Sequence, residues 1–282
     1  VSIFGESHGA SVGIVIDGCP AGIPLEQSDF EADFSRRKSG AKGTTPRREP
    51  DTPRIMSGLF EGRTTGAPIM ILFENTNTRS GDYSQLKNIP RPGHADLTGR
   101  RKFGGFQDYR GGGHFSGRLT LGLVAAGVIA KKIIAPSKVE ATILEVGGSN
   151  DIEKALDRAI ASGDSIGGII QCSIASVPAG LGEPFFDSVE AVMSHIIFSI
   201  TAINGIEIGV GFRAAKMTGS EHNDNIISTD GSTETNHAGG INGGISNGNE
   251  IIFRVVVKPT SSTHQTQHTI NLESGQMEDL TV

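Results

Sequence analysis

The pattern of apolar and polar positions along the chain predicts strands and helices in mixed order. Short runs rich in β-branched and apolar residues are typical of buried strands, and they occur at 12–16, 69–74, 139–146, 168–177 and 251–257. An alternating segment at 205–215 predicts one more strand. Apolar residues at helical spacing predict helices at 117–134, 152–160 and 189–200, and a further helix at 29–37 capped by Ser28. This mixture predicts an α/β (α+β) fold.

Four segments lack such periodicity and are rich in glycine, proline or polar residues. We expect them to be loops, and they lie at 39–53, 75–92, 93–118 and 236–249. Each half of the chain holds strands, helices and a glycine-rich loop, so we expect internal pseudo-symmetry. A chain of 282 residues can form one large domain or two small ones, and no break in composition decides between them.

Neither the apolar segments nor the cysteines indicate membrane insertion or export. The longest apolar stretch, at 119–130, is far shorter than the roughly 20 residues that a spanning helix needs, and it predicts a buried helix instead. No charged and then apolar leader precedes the first motif, which gives no sign of secretion. Cys19 and Cys172 are isolated and lack metal-ligand spacing. We therefore expect a cytoplasmic protein without membrane association.

Positive charge is concentrated in one part of an acidic chain. The formal net charge is −6, yet residues 36–118 hold sixteen of the 25 lysines and arginines and seven of the 31 acids. That segment therefore carries about +9 and the remainder about −15. Solvated surface charge is one interpretation, and a localised anion site is the other. Nucleic-acid binding is disfavoured, because the protein is acidic overall and its 5% aromatic content offers few stacking platforms.

The motif Gly5-Glu6-Ser7-His8-Gly9 places a histidine between glycines. Histidine titrates near neutral pH, so His8 is a candidate general acid if it faces a pocket. The alternative is a structural histidine, which is more common for a lone residue of this type. A nucleophilic serine is disfavoured, because Ser7 lacks the Gly-x-Ser-x-Gly spacing.

A second histidine lies in Arg91-Pro92-Gly93-His94-Ala95-Asp96. His94 follows a turn and precedes a carboxylate, which could keep the imidazole protonated so that it donates to a leaving phosphate. The alternative is an ordinary surface turn.

Two glycine-rich runs are candidate ligand cradles. Three consecutive glycines between Arg110 and Arg118 disfavour regular secondary structure. They favour close contact between the backbone and an anion near the start of the next helix. The run does not have the residue spacing of a Walker phosphate-binding loop or of a dinucleotide-binding fold. The second run, at 235–248, is followed by Lys258 and hydroxyl residues, which suit a phosphate or a flavin edge, or it is a hairpin with a glycine bulge. His264 and His268 have only Gln and Thr between them, so no metal site is expected.

In combination and order, these segments resemble the chorismate synthase family over nearly the whole chain. The motifs that carry the resemblance are residues 5–9, 36–40, 45–49, 91–96, 110–118, 236–248 and 258–262. The resemblance implies a lyase that converts 5-enolpyruvylshikimate 3-phosphate to chorismate by 1,4-anti elimination, using reduced FMN without net redox change. It also implies a single domain over 1–282 with helices between two antiparallel sheets, a homotetramer, and NADPH as the reductant. An FMN-dependent oxidoreductase with net hydride transfer is the alternative function.

The same resemblance implies roles for individual residues. His8 would protonate or hydrogen-bond the reduced flavin, and His94 would donate a proton to the departing phosphate. Arg37 falls where the family binds phosphate or the nicotinamide nucleotide, and Arg48, Arg110 and Arg118 are expected substrate ligands. The family's flavin contacts correspond to His114, Phe115, Ser116, Thr201, Ala202, Gly243, Lys258, Pro259, Thr260, Ser261 and Ser262.

Three departures from the family pattern limit these expectations. The family continues past the position of Val282 into an Arg-His-Asp segment with a flavin-contacting arginine and a carboxylate. Either this sequence is truncated before this segment or the protein is impaired. The loop at 39–44 is about one residue short, with Lys42 or Gly43 where relatives often carry a second arginine. A short segment that precedes the first motif in relatives is also expected to be missing.

Overall fold

A computed structural model describes residues 1–45, 47–78 and 80–282. Its strands are β1 Ser2–Gly5, β2 Ser11–Ile16, β3 Arg54–Ile55, β4 Leu59–Phe60, β5 Arg63–Thr64, β6 Ile69–Glu74, β7 Lys138–Val146, β8 Gly168–Ala175, β9 Ile203–Ile208, β10 Ile241–Asn242, β11 Ile245–Ser246, β12 Ile251–Val257, β13 Gln267–Ile270 and β14 Met277–Leu280. Its α-helices are α1 Glu31–Arg37, α2 Asp96–Lys102, α3 Thr120–Ile133, α4 Ile152–Ser162, α5 Val189–Ile197 and α6 Gly219–His222. Pro46, which belongs to the motif at 45–49, lies outside the described residues.

The first of two compact units comprises Val1–Ile133, Ile160–Ser165 and Ser261–Val282. Its main sheet has the antiparallel order β1-β2-β6-β3. Alternate residues of the two central strands are buried, as the period of two along a strand requires, and Val12, Ile14, Ile16, Ile69, Ile71 and Phe73 form one face of the core. Helix α3 packs on this face through its apolar side. A β-carbon on Gly122 would lie 3.1 Å from Cβ of Ile14, so helix and strand are in close contact there.

The second unit comprises Ile134–Ala159 and Ile166–Thr260. Its sheet has the antiparallel order β7-β8-β12-β9. Ile251, Phe253 and Val255 of β12 are buried on one face, together with Ile197 of α5. Each unit therefore has its own four-stranded antiparallel sheet and its own apolar core, and the prediction of a mixed α/β fold is confirmed. The sandwich arrangement, the pseudo-symmetry and the single domain stay predictions.

Most predicted elements are confirmed, because their signal is local. All five β-branched runs form strands, and the helices at 152–160 and 189–200 are confirmed as α4 and α5. Helix α3 follows one 3-10 turn, Gly117–Leu119. No helix in the described part of the chain is long and apolar enough to cross a membrane.

Four local predictions were wrong. Ser28 does not cap a helix, because it lies inside a 3-10 turn, Gln27–Phe30, that precedes α1. Glu26 and Asp29 cap this turn, each side chain accepting from the backbone N–H of the other residue. The segment predicted as a strand at 205–215 leaves the sheet after Ile208, because Gly209 and Gly211 have positive φ. The two predicted loops at 75–92 and 93–118 contain a 3-10 segment, Ser80–Lys87, and helix α2, respectively.

Candidate functional site

A cavity of about 680 Å³ in the first unit collects the cationic motifs. A volume of this size is typical of small-molecule sites. Five of its side chains are cationic and two are carboxylates, so the wall is positively charged overall. The lining residues are Ser7, Arg37, Lys38, Ser39, Thr45, Arg47, Arg48, Glu49, Asp51, Tyr83, Gly111, Ser116, Gly117, Arg118 and Thr120. We call this site the arginine cavity.

Arg37, Asp51 and Arg118 form one ionic cluster in its wall. The two carboxylate oxygens of Asp51 accept from different arginines: Oδ2 accepts from Nη1 of Arg37 at 3.3 Å, and Oδ1 accepts from Nη1 of Arg118. Nη2 of Arg37 donates to the carbonyl oxygen of Gly117 at 3.2 Å, and Nε of Arg118 donates to Asn75 Oδ1 at 3.0 Å. Both guanidinium groups are therefore fixed by protein contacts.

Each of these arginines also keeps one nitrogen unsatisfied. Nε of Arg37 and Nη2 of Arg118 are buried and find no hydrogen-bond partner among the described residues. A buried donor without a partner costs about 1–3 kcal/mol, more when it is charged. Both residues line the cavity, and together with its three other cationic side chains they favour an acceptor-rich, anionic ligand there.

Arg47 connects the basic loop to the first histidine motif. Its Nη1 donates to Ser7 Oγ at 2.9 Å, its Nη2 donates to the Ser7 carbonyl at 3.0 Å, and Glu49 accepts from Nη2 at 2.7 Å. Glu49 in turn accepts from the backbone and hydroxyl of Thr76. Burial alone would raise the pKa of Glu49, but hydrogen bonds from the Thr76 backbone and from Arg47 outweigh it and lower the pKa to about 2.

Replacing Glu49 with glutamine is expected to remove up to about 3 kcal/mol of stability at neutral pH and to flatten the acid dependence of stability. A carboxyl whose pKa is lowered by folding stabilises the fold fully above its ordinary value of 4.5 and loses that contribution as the pH falls to about 2. Urea unfolding of both proteins across this pH range measures the difference. Glu74→Gln is the matched control, because Glu74 is exposed and pairs with Arg54 at the surface. Equal acid dependence of wild type and Glu49→Gln would contradict the role assigned to Glu49.

His8 is buried beside the arginine cavity, with 8% of its surface exposed. Its ring contacts Tyr83 edge-on, with centroids 5.0 Å apart. Its Cδ2–Nε2 edge faces Gly111, where an added β-carbon would lie 2.4 Å from Cδ2. Ser7, Tyr83 and Gly111 all line the cavity. The structure thus places the predicted His8 directly behind the cavity wall.

The three glycines at 111–113 are required by their conformation and by their neighbours. All three have positive φ, between 53° and 81°, a region that other L-residues rarely adopt. A β-carbon on Gly113 would lie 1.9 Å from the Asp108 carbonyl oxygen. The Gly113 carbonyl accepts from the backbone N–H of Ser7 at 3.1 Å. This turn therefore connects the glycine-rich run at 110–118 to the histidine motif at 5–9.

His94 is held in an ionic network on a different part of the triglycine turn. Its Nδ1 lies 2.5 Å from Oδ1 of Asp96, which Arg91 also contacts, with Nε donating to Oδ2 at 2.8 Å. Burial would raise the pKa of Asp96, but hydrogen bonds from Arg91 and His94 dominate and keep it far below its usual range. Asp96 contacts Nδ1, and Nη2 of Arg91 lies 3.1 Å from Nδ1 and 3.3 Å from Nε2 of the same ring. Nε2 and Cε1 lie against Gly112.

The remaining predicted residues of the first unit have varied surroundings. Arg110 pairs with Asp108 through two hydrogen bonds of 2.8 Å and is not among the residues that line the arginine cavity. Nδ1 of His114 lies 2.9 Å from the Gly5 carbonyl. The ring of Phe115 packs closely on Gly99, and Ser116 caps the turn before α3. Further along the chain, Ser261 donates to the Gly93 carbonyl and Ser262 accepts from Arg91, which brings both serines to the His94 network.

Within the second unit, two of the predicted flavin-contacting segments meet. The backbone N–H of Lys258 donates to the Ala202 carbonyl at 2.9 Å, so Thr201 and Ala202 lie beside the segment that contains Pro259 and Thr260. Gly243 lies in the turn between β10 and β11, with φ of 61° and open space where a β-carbon would be. The run at 235–248 therefore contains a hairpin.

Sequence reasoning missed the carboxylates that organise the arginines. Asp51 and Asn75 were not singled out, and Glu49 was named only as part of the motif at 45–49. Tyr83 was also missed. The segment around His268 forms β13, which the sequence analysis did not predict, and His268 contacts Asp279 on β14 at the surface. The described residues contain no cluster of three or more potential metal ligands.

Comparisons with known proteins agree on one family. The family model described as chorismate synthase matches residues 1–282. A chorismate synthase of Chitinophaga pinensis is 64% identical over 283 residues, which cover 100% of this chain and 85% of that protein. One of Methanobrevibacter smithii is 43% identical, with 100% and 86% covered. A solved structure described as the crystal structure of chorismate synthase matches with a TM-score of 0.74 and 27% identity, covering 92% of this chain and 84% of that one.

Proposed function

Because the chain belongs to the chorismate synthase family, we propose that the arginine cavity binds the anionic substrate of that family's reaction. The reaction converts 5-enolpyruvylshikimate 3-phosphate to chorismate and phosphate, the last step of the shikimate pathway, and the chain is a lyase of this class. The observation that carries the proposal is the convergence of five cationic side chains, Arg37 and Arg118 among them, on one cavity. They supply donors for the phosphate or a carboxylate of the substrate.

Arg48 complements these two residues as a more exposed ligand. It lines the same cavity, and its guanidinium lies about 3.5 Å from the position of a β-carbon on Gly40, so it is folded back over the basic loop. A substrate with two carboxylates and one phosphate needs several cationic contacts in fixed positions to be oriented. Arg110 is also proposed as a ligand, on the family resemblance alone, because its present partner is Asp108.

The family requires a reduced flavin, and we propose that it is FMN, reduced by NADPH. On the family resemblance, we propose His114, Ser116, Ser261 and Ser262 of the first unit and Thr201, Lys258 and Thr260 of the second unit as its polar contacts. Hydroxyl, imidazole and ammonium groups are the donors that suit a phosphate and the polar edge of a flavin ring. Phe115, Ala202, Gly243 and Pro259 would complete the contacts. When bound, reduced flavin lends electron density to the allylic system of the substrate and recovers it.

The two histidines would handle protons. His94 would donate from Nε2 to the departing phosphate, because Nδ1 is committed to Asp96. His8 would hydrogen-bond or protonate the reduced flavin, and its burial against Tyr83 and Gly111 limits its movement. A positioned acid of this kind contributes about 10² to 10⁴ in rate.

An anaerobic assay tests the proposed function. Protein, reduced FMN and 5-enolpyruvylshikimate 3-phosphate are mixed, and chorismate, inorganic phosphate and the flavin spectrum are followed together. We expect many equivalents of phosphate and chorismate per flavin, with the flavin still reduced at the end. Flavin oxidation in proportion to product would instead support an FMN oxidoreductase with net hydride transfer.

We further propose a homotetramer in the cytoplasm. Phe185, Phe186 and Phe212 are 84–92% exposed in this chain, which is apolar surface that association would cover. Cys19 and Cys172 are free thiols, as a reducing compartment requires. Sedimentation equilibrium of the full-length protein measures the subunit number.

A further inference from the structure

We infer that Asp51 is a positioning residue that orients Arg37 and Arg118 toward the substrate anion. The inference rests on the proposed role of the arginine cavity and adds to it a residue that would act without touching the reacting atoms. It predicts that an acid in the wall of an anion site increases turnover, although its charge opposes anion binding.

The geometry shows one carboxylate shared by two guanidinium groups. Asp51 is buried, with 5% of its surface exposed, and each of its oxygens contacts a different arginine. Arg37 and Arg118 come from α1 and from the turn before α3. Asp51 belongs to neither element, so it links two parts of the cavity wall.

Electrostatics explains why such a link is needed. Burial lowers the pKa of Arg37, the charge of Asp51 opposes that change, and the nearby charge of Arg118 adds to it. Without the carboxylate, two buried cations would repel each other and turn apart. With it, each guanidinium group is held in one orientation at the cavity wall.

The negative charge of Asp51 also weakens the binding of an anion in the arginine cavity. A negative charge within a few ångströms of a bound anion reduces the attraction of the arginines for it. A site selected only for affinity would use an uncharged residue at this position. The arrangement therefore favours orientation over affinity, and orientation acts mainly on kcat.

Replacing Asp51 with asparagine tests the effect of the Asp51 charge alone. Asp51 has a φ of 52°, and Asn tolerates the left-handed region as Asp does. Asp51→Asn therefore keeps the backbone and the side-chain shape while it removes the charge. Asp17→Asn is the matched control, because Asp17 is exposed and accepts from the following backbone N–H.

The experiment measures steady-state turnover with reduced FMN and, separately, inorganic phosphate binding to the flavin-free protein by calorimetry. For Asp51→Asn we expect kcat to fall about 10- to 100-fold, because misdirected guanidinium groups cost this much in a positioned reaction. Phosphate affinity is expected to stay equal or to increase a few-fold. A purely structural defect would lower both quantities together. Asp17→Asn is expected to change neither.

Two results overturn the inference: a kcat of Asp51→Asn within about twofold of wild type, or a parallel loss of kcat and phosphate affinity. If Asp51→Asn does not fold, Arg37→Lys replaces it, since Lys keeps the charge and loses the directed contact to Asp51. A kcat loss with phosphate affinity within about threefold then supports the inference, and an unchanged kcat overturns it.

Arg37→Gln and Arg118→Gln distinguish failure of the role inferred for Asp51 from failure of the proposed anion site. If both bind phosphate and substrate as wild type does, the proposed anion site itself fails.

Discussion

Replacing His94 with alanine is expected to lower turnover about 10²-fold or more, while flavin binding is largely retained. Asp96 and Arg91 hold the imidazole, and both are 94% buried, so the ring has one orientation. In that orientation Nδ1 contacts Asp96, and Nε2 lies 3.3 Å from Nη2 of Arg91 and against Gly112. Without the ring, the departing phosphate must be protonated by water, which is neither positioned nor as acidic.

The measurement is the anaerobic assay of phosphate release, with flavin binding followed by fluorescence titration. His195→Ala serves as the control, because His195 is an exposed residue near the end of α5, and its turnover should match wild type. Asp96→Asn should show a smaller loss, since Nδ1 keeps an oxygen acceptor while the ionic contact disappears. Near-normal turnover of His94→Ala would rule out the role assigned to His94.

Replacing Gly111 with alanine is expected to reduce turnover by about two orders of magnitude. The new β-carbon would lie 2.4 Å from Cδ2 and 2.6 Å from Nε2 of His8, so the imidazole must move. His8 is packed against Tyr83 and has little room to do so without displacing the cavity wall. The positive φ of 58° adds a backbone cost of about 1–2 kcal/mol.

Gly105→Ala separates the backbone cost of a positive φ from the collision of the new β-carbon with His8. Gly105 has a φ of 85° but nothing within 4 Å of an added β-carbon, so this variant carries the backbone cost without the collision. It is expected to lose stability and to keep its turnover. A double-mutant cycle with His8→Ala then shows whether Gly111→Ala acts through the histidine. Additive losses in the double variant would mean that Gly111 acts independently of His8.

The predicted strands and helices agree with the structure wherever local periodicity was strong. The run at 69–74 is reproduced residue for residue as β6, and the apolar stretch at 119–130 lies within α3 and the turn before it. The failures occur where glycine or capping chemistry interrupts the pattern. Gly209 and Gly211 end β9 early, and Glu26 with Asp29 takes the capping place expected for Ser28.

Several of the predicted site residues lie together in the structure, and their roles stay predictions. His8, Arg37, Arg48, Ser116 and Arg118 converge on the arginine cavity or its wall, as the charge pattern and motifs indicated. The partner that orients two of these arginines was not predicted. Asp51 is 14 residues from Arg37 and 67 from Arg118 in the sequence, and no spacing rule connects residues so far apart.

By itself, the sequence determined the mixed α/β class, the basic segment, the two histidine motifs and the family. These properties follow from local periodicity, from residue type and from motif order, all of which are carried by the chain before it folds. Only the tertiary structure decided which charges meet. Whether an arginine faces a ligand or a carboxylate depends on burial and on contacts across the fold: Arg118 is buried with an unsatisfied nitrogen in the cavity wall, while Arg110, eight positions away, is paired with Asp108.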